Sequence, residues 1–253
     1  MGRRSTDLLV SLTQSDLRAR YGRGPWQLVK WLLDPFALVG VYLILVTAVL
    51  ERPGEAPGLA LTCAVVPFQI LTLTTTSSMT AVTLRRGIIA NMAFPRAFLP
   101  LGTTMTETLA FAASFLLVVM MMLIYSVPAT AAILALPLML FVNLALAVSF
   151  AYAATLFGVW MPDLRPFALS FVRALFFLAP GLIALDQIEG AANTWVRVNP
   201  FSGLFEGYRA VFLRGELPDP WMLLIPLGWA LLVAAVFVPI YLREQGHFAK
   251  VAE

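Results

Sequence analysis

The sequence predicts an all-α integral membrane protein with six membrane-spanning helices. Three observations carry that prediction. Of the 253 residues, 60% are apolar and only 12% are charged, against about 25% charged in ordinary soluble domains. The mean hydropathy is +0.85. The apolar residues also gather into runs long enough to cross about 30 Å of hydrocarbon, which takes roughly 20 helical residues. A soluble globule of this length needs far more charge to cover its surface, so a soluble enzyme, a disordered chain and a disulfide scaffold are excluded. Cys63 is the single cysteine and His247, near the C-terminus, the single histidine, which leaves no intrachain disulfide, no cysteine zinc site, no His-rich metal cluster and no buried Ser-His-Asp relay. The formal net charge is only +3, so nucleic acid is not an expected partner and the placement of the charges matters more than their sum.

The elements follow in chain order. An amphipathic helix is expected over 7–21, with Asp7 in its first turn, Arg18 and Arg20 in its last and Gly22 just beyond, as the helix dipole favours. Leu8, Leu9, Leu12 and Leu17 give it an apolar face suited to the membrane interface; a plain basic topology anchor fits equally. Spans are expected at 31–50, 59–82, 101–125, 131–160, 167–185 and 221–242, the whole chain forming one transmembrane domain. The long basic lead and the five further spans argue against a cleavable signal sequence.

Orientation follows from the loop cations. With the N-terminus inside, the cytoplasmic set is Arg3, Arg4, Arg18, Arg20, Arg23, Lys30, Arg85, Arg86, Arg96, Arg165, Arg243 and Lys250, against Arg52, Arg197, Arg209 and Arg214 outside. Both termini are therefore expected in the cytoplasm of a multi-pass protein.

Two connections carry more than a turn. Between spans two and three, Pro95 and Pro100 confine any helix to about 84–93. A short basic, apolar helix there is a docking element for a soluble partner or a positive-inside loop resting on headgroups. Between spans five and six, 186–220 keeps apolar residues at 201, 204, 205, 208, 211 and 212, which is helical spacing. Asn199 and Pro200 make a sound N-terminus for that helix. An apolar helix outside the membrane must lie in the interface or re-enter between other helices, where it would line or gate the outer mouth.

Ionisable residues inside the membrane are costly, and Glu107 and Arg173 lie at matching depths, each about 9 Å in at 1.5 Å per residue. They pair, within a chain or across an interface, or each snorkels separately. Span two concentrates Thr72, Thr74, Thr75, Thr76, Ser77, Ser78 and Thr80, whose hydroxyls bond back to the helix or face another polypeptide or a wet path. The 18 phenylalanines supply lipid-facing filler and ring surface on which sugars pack well.

Recognisable engines are missing. The only lysines, Lys30 and Lys250, do not end a phosphate-binding loop, and no G-x-G-x-x-G, H-E-x-x-H or G-x-S-x-G is present. No inverted repeat stands out. A chain without an engine and with a docking helix points to an energised partner on another chain.

Four segments carry a family resemblance. They are Asp16-Leu-Arg-Ala-Arg-Tyr21 followed by Gly24-Pro-Trp26; Phe94-Pro-Arg96 with Leu99-Pro-Leu101; Asn199-Pro-Phe201 followed by Glu206-Gly-Tyr-Arg209; and Trp160-Met-Pro-Asp-Leu-Arg165, where Met161-Pro162 replaces an aromatic-Arg lead. In their chain order and spacing they resemble the membrane subunit of type-2 ABC exporters, in the branch exporting O-antigen, capsular polysaccharide and teichoic acid.

The resemblance implies a homodimer paired with two nucleotide-binding subunits that hold ATP and Mg, with no cofactor on this chain. It also implies a bacterial cytoplasmic (inner) membrane setting and a lipid-linked polysaccharide, carried on undecaprenyl pyrophosphate, as cargo. Coupling to the ATPase would fall to Arg85, Arg86, Gly87, Asn91, Pro95, Arg96, Asp163 and Arg165. Arg18, Arg20 and Arg23 would meet the pyrophosphate or simply anionic headgroups. The outer gate would comprise Asn199, Pro200, Phe201, Glu206, Tyr208 and Arg209. The rival readings are the same architecture exporting a drug or small lipid, and an integral membrane polyprenyl-sugar transferase.

Overall fold

The computed structural model describes residues 10–11, 13–18, 26–49, 54–91 and 95–248. These form a bundle of helices. Helix α1 runs Trp26–Ile44 and continues as a π-helical turn through Leu45–Val49. It is followed by α2 Pro57–Leu84, α3 Arg86–Asn91 and α4 Phe98–Ile124. A 3₁₀ turn at Ala131–Ala135 leads into α5 Leu136–Trp160. After the short turn Pro162–Leu164 come α6 Arg165–Leu178, α7 Ala191–Val198 and α8 Pro200–Arg209. A π turn, Ala210–Arg214, extends α8, and α9 covers Pro220–Glu244.

Four helical stretches are long and apolar enough to cross a membrane: Pro57–Leu84, Phe98–Ile124, Ala131–Trp160 and Pro220–Glu244. They cover the apolar runs at 59–82, 101–125, 131–160 and 221–242. Over the first apolar run, 31–50, the chain is helical through 31–49, with Pro35–Val49 as its apolar part. One expected span comes out differently. The fifth, expected over 167–185, ends as a helix at Leu178 after 14 residues, about 21 Å at 1.5 Å per residue. Ala179 is already extended, and Pro180-Gly181 breaks the helix where the apolar run continues.

Helix α2 is the centre. It packs on α1, α4, α5, α6 and α8, while α5 in turn carries α9. Of α2's most apolar stretch 72% is buried in the bundle, against 11% for α9. The close approach of α2 and α5 depends on Gly158, where an added Cβ would lie 2.1 Å from the Met79 carbonyl oxygen. Glycine removes the side chain that would otherwise hold two backbones apart.

The hydroxyls of span two divide between the two alternatives. Thr72 and Thr76 donate to the carbonyls of Phe68 and Thr72, and Thr80 to that of Ser77. Ser77 crosses to the Glu107 carboxylate at 2.7 Å. Among the described residues, the buried hydroxyls of Thr74, Thr75 and Ser78 have no hydrogen-bond partner.

Of the expected 7–21 helix, residues 10–11 and 13–18 are helical, with Arg18 exposed. Arg20 and Arg23 lie outside the described residues. Of the docking helix expected over 84–93, Leu84 belongs to α2 and Arg85 falls in a turn, so α3 starts at Arg86; residues 92–93 lie outside the described residues.

Candidate functional site

The connection at 85–97 is fastened to the bundle by its own cations. Arg85 is buried, with a guanidinium that pairs with Asp16 and donates to the Thr103 hydroxyl at 3.4 Å. Arg96 donates to the carbonyls of Gln245 and Gly246, and its own carbonyl accepts from the Tyr241 hydroxyl at 2.8 Å. The Ala97 carbonyl accepts from Tyr152 at 2.9 Å. Arg165, at the foot of α6, donates to the Gly158 carbonyl at 2.7 Å and to the Thr83 hydroxyl at 3.3 Å.

Three of the cations expected to face a partner are therefore turned inward, Arg85 onto a carboxylate and a hydroxyl, Arg96 and Arg165 onto carbonyls at helix ends. Arg86, Gly87, Pro95 and Asp163 remain at the surface. Asn91 is the last described residue of α3, and its side chain lies outside the described residues. The described parts of this connection, 85–91 and 95–97, are thus held to the bundle, with Arg86 as their exposed cation.

At the opposite end, α8 is sunk into the bundle. Asn199 caps it, its side-chain oxygen accepting from the Phe201 amide at 3.0 Å, and Pro200 fills the first turn. Every residue from Pro200 to Arg209 is buried. Gly203 and Gly207 explain how an entire helix fits: an added Cβ would meet the Met222 carbonyl at 2.7 Å and the Met139 side chain at 2.4 Å. This small-xxx-small spacing is the sequence signal for close helix approach in membranes, and a reading based on apolar periodicity misses it. Phe201 packs edge-on against Phe68 at 5.2 Å, and Tyr208 stacks with Phe212 at 6.3 Å.

An ionic knot holds this helix down. Arg209 is fully buried. It donates to the carbonyls of Ala60 at 3.1 Å, Pro180 at 2.6 Å and Gly181 at 3.1 Å, and to Glu206 at 2.9 Å. Glu206 also accepts from the Leu185 amide at 3.1 Å and from half-exposed Arg214 at 3.2 Å. The carbonyls freed where α6 breaks are thus satisfied by Arg209, as buried backbone acceptors require. Beside the knot, Arg214 and Glu206 line a cavity of about 330 Å³ with Asp186, Asn193 and Trp221.

Burial opposes charge on Glu206, but Arg209, the Leu185 amide and Arg214 outweigh it and hold the carboxyl below its ordinary value of 4.5. A depressed carboxylate contributes stability that is complete above that value and is lost as pH falls through the lowered one. The purified chain is therefore expected to keep a level melting temperature above about pH 5 and to lose it in more acid solution. In Glu206→Gln that acid slope should shrink. An equally steep slope in the variant would show that other carboxylates carry it.

Glu107 and Arg173 are not brought together within one chain. Glu107 is buried against Ser77. Arg173 lines a separate cavity beside Tyr42. Among the described residues no ion pair joins them. Equal depth placed the two at one level, but α4 and α6 present them to different neighbours.

The chain is 27% identical to the O-antigen export system permease protein RfbA of Myxococcus xanthus over 243 residues, covering 94% of this chain and 93% of the relative. Two Klebsiella pneumoniae proteins of the same name are 21% identical over 246 residues, covering 97% of this chain and 95% of each relative. The chain is similar, end to end, to O-antigen export permeases. No family model matches it. The relatives are named as permeases of an export system, which are transport proteins and not enzymes, so the similarity favours a transporter over a transferase.

Proposed function

We propose that the chain is the permease subunit of an ABC exporter that moves a polysaccharide across the bacterial cytoplasmic membrane. The observation that carries this reading is the end-to-end similarity to O-antigen export permeases. An apolar helical bundle with no recognisable engine of its own supports it. In this reading two copies form the channel, and two separate nucleotide-binding subunits supply ATP hydrolysis with Mg. Six crossings are completed by α1 and by α6 with the irregular segment after it. Both termini and the 85–97 connection then face the cytoplasm, with α3 as the docking helix and Arg86 as its exposed cation. Helix α8, tied down by Arg209, gates the outer mouth. The cargo is lipid-linked, on a polyprenyl pyrophosphate carrier, and the N-terminal cations Arg18, Arg20 and Arg23 meet it at the inner leaflet.

A pull-down of the tagged chain from its native membrane tests the reading. A P-loop ATPase should copurify in stoichiometric amount with measurable ATPase activity. Arg86→Glu should reduce that yield severalfold while the chain itself stays monodisperse, because reversing a rim charge repels a partner without disturbing the fold. A chain that purifies alone from gently treated membranes, without ATPase activity, overturns the proposal.

A further inference from the structure

Arg173 has no hydrogen-bond or ion-pair partner among the described residues, although it lies eight residues beyond Arg165, roughly 12 Å along α6. A lone guanidinium at that depth is costly and marks a site or a polar path. It lines a cavity of about 380 Å³ between α1, α2 and α6, with Tyr42, Phe68, Gln69, Thr72 and Phe176. The wall is a ring assembly: Tyr42 stacks on Phe176 at 5.4 Å, and Phe68 meets Phe176 at 5.0 Å. A second polar group there is unsatisfied, since the buried side-chain oxygen of Gln69 has no donor among the described residues. Thr72 spends its proton on the Phe68 carbonyl at 3.2 Å, so its oxygen is left as an acceptor.

The requirements of the cavity are specific. Guanidinium donors call for an anion with several acceptor oxygens. The Gln69 and Thr72 oxygens call for hydroxyl donors close to that anion. The ring wall suits the C–H face of a sugar or polyol, and Arg173 itself is exposed at the bundle surface, from which a lipid tail can extend. We propose that this cavity binds a lipid-borne polyol phosphate, with phosphate on Arg173, hydroxyls on Gln69 and Thr72, and the polyol against Tyr42 and Phe176. The ligand is the phosphorylated end of a lipid-linked saccharide or the headgroup of phosphatidylglycerol, which share this chemistry. The saccharide source rests on the exporter reading; the site does not.

The test uses the full chain in phosphatidylcholine nanodiscs and three probes: farnesyl diphosphate carrying N-acetylglucosamine, farnesyl diphosphate alone and short-chain phosphatidylglycerol. Arg173→Gln should weaken every phosphate probe that binds by about tenfold or more, the loss expected for charge-assisted hydrogen bonds. Arg173→Lys should recover part of that loss. Gln69→Leu should weaken the hydroxyl-bearing probes and leave plain farnesyl diphosphate unchanged. Preference for the glycosylated probe assigns the site to the saccharide, and preference for phosphatidylglycerol assigns it to bulk lipid. Binding that ignores Arg173→Gln overturns the site, as does a variant that loses its oligomeric state with ligand binding intact, which would make Arg173 a contact between copies. The pull-down is read separately on the unsubstituted chain. Copurification of the ATPase without Arg173-dependent binding overturns the site alone, whereas probe binding by a chain that purifies alone overturns the exporter alone.

Discussion

Arg209→Ala should destabilise the chain more than any other single truncation of a charged residue. The side chain is fully buried and makes four hydrogen bonds, three to the carbonyls of Ala60, Pro180 and Gly181 and one to Glu206. Its removal leaves a buried carboxylate facing only the half-exposed Arg214 and the Leu185 amide. Breaking one partner of a buried ion pair costs about 3–5 kcal/mol, and the three orphaned carbonyls add desolvation penalties of their own. Such a loss is comparable to the whole stability of many domains, about 5–15 kcal/mol. In a detergent-solubilised preparation it should lower the melting temperature by roughly 10 °C or more, or abolish the monodisperse peak. Arg209→Lys should fall between, because an ammonium keeps the charge but cannot span four acceptors with three donors. If Arg209→Ala melts within about 2 °C of the unsubstituted chain, the knot is not what holds α8 in the bundle.

Much of this arrangement was legible in the sequence, and the failures share one physical origin. Apolar runs report which residues avoid water, so α2, α4, α5 and α9 appear close to where the runs place them. Asn199 and Pro200 report a helix start because capping is local chemistry, and the cap forms as expected. The break in α6 was also written locally, in Pro180-Gly181, but the apolar run through it masked the signal. What the sequence does not carry is azimuth. Arg85, Arg96 and Arg165 are the same residue type as Arg86, yet the first three are fastened to Asp16, to C-terminal carbonyls and to Gly158. Only the rotation of each helix and the neighbour across it decide between anchoring and exposure. Glu107 and Arg173 lie apart within one chain for the same reason. Depth follows from counting residues, but facing does not. The knot at Arg209 is a case of both: its cation was singled out, while the acceptors that give it a purpose come from the start of α2 and from the break after α6.

The second large effect is expected where no chemistry is present at all. Gly158→Ala adds one methyl group at a point 2.1 Å from the Met79 carbonyl oxygen, 2.6 Å from the Met79 Cα and 2.7 Å from its carbonyl carbon. All three atoms are backbone of the central helix, so no rotamer change relieves the clash and α2 and α5 must separate. Overpacking a tight core costs about 1–3 kcal/mol when side chains can adjust. Here the strain falls on two rigid helices, and the cost should reach about 3 kcal/mol or more. Separation also disturbs the foot of the bundle, because the Gly158 carbonyl is the acceptor for Arg165. Two comparison variants isolate the cause. Gly207→Ala meets the terminal atoms of Met139, which can swing away, so its loss should be smaller. Gly228→Ala meets nothing within 4 Å and should be neutral or slightly stabilising, as alanine in a helix is favoured over glycine by up to about 1 kcal/mol. Melting temperatures of the three purified variants should therefore fall in the order Gly228→Ala, Gly207→Ala, Gly158→Ala, with Gly158→Ala lowest. A Gly158→Ala chain as stable as Gly228→Ala would mean that the contact between α2 and α5 is looser than the 2.1 Å approach implies.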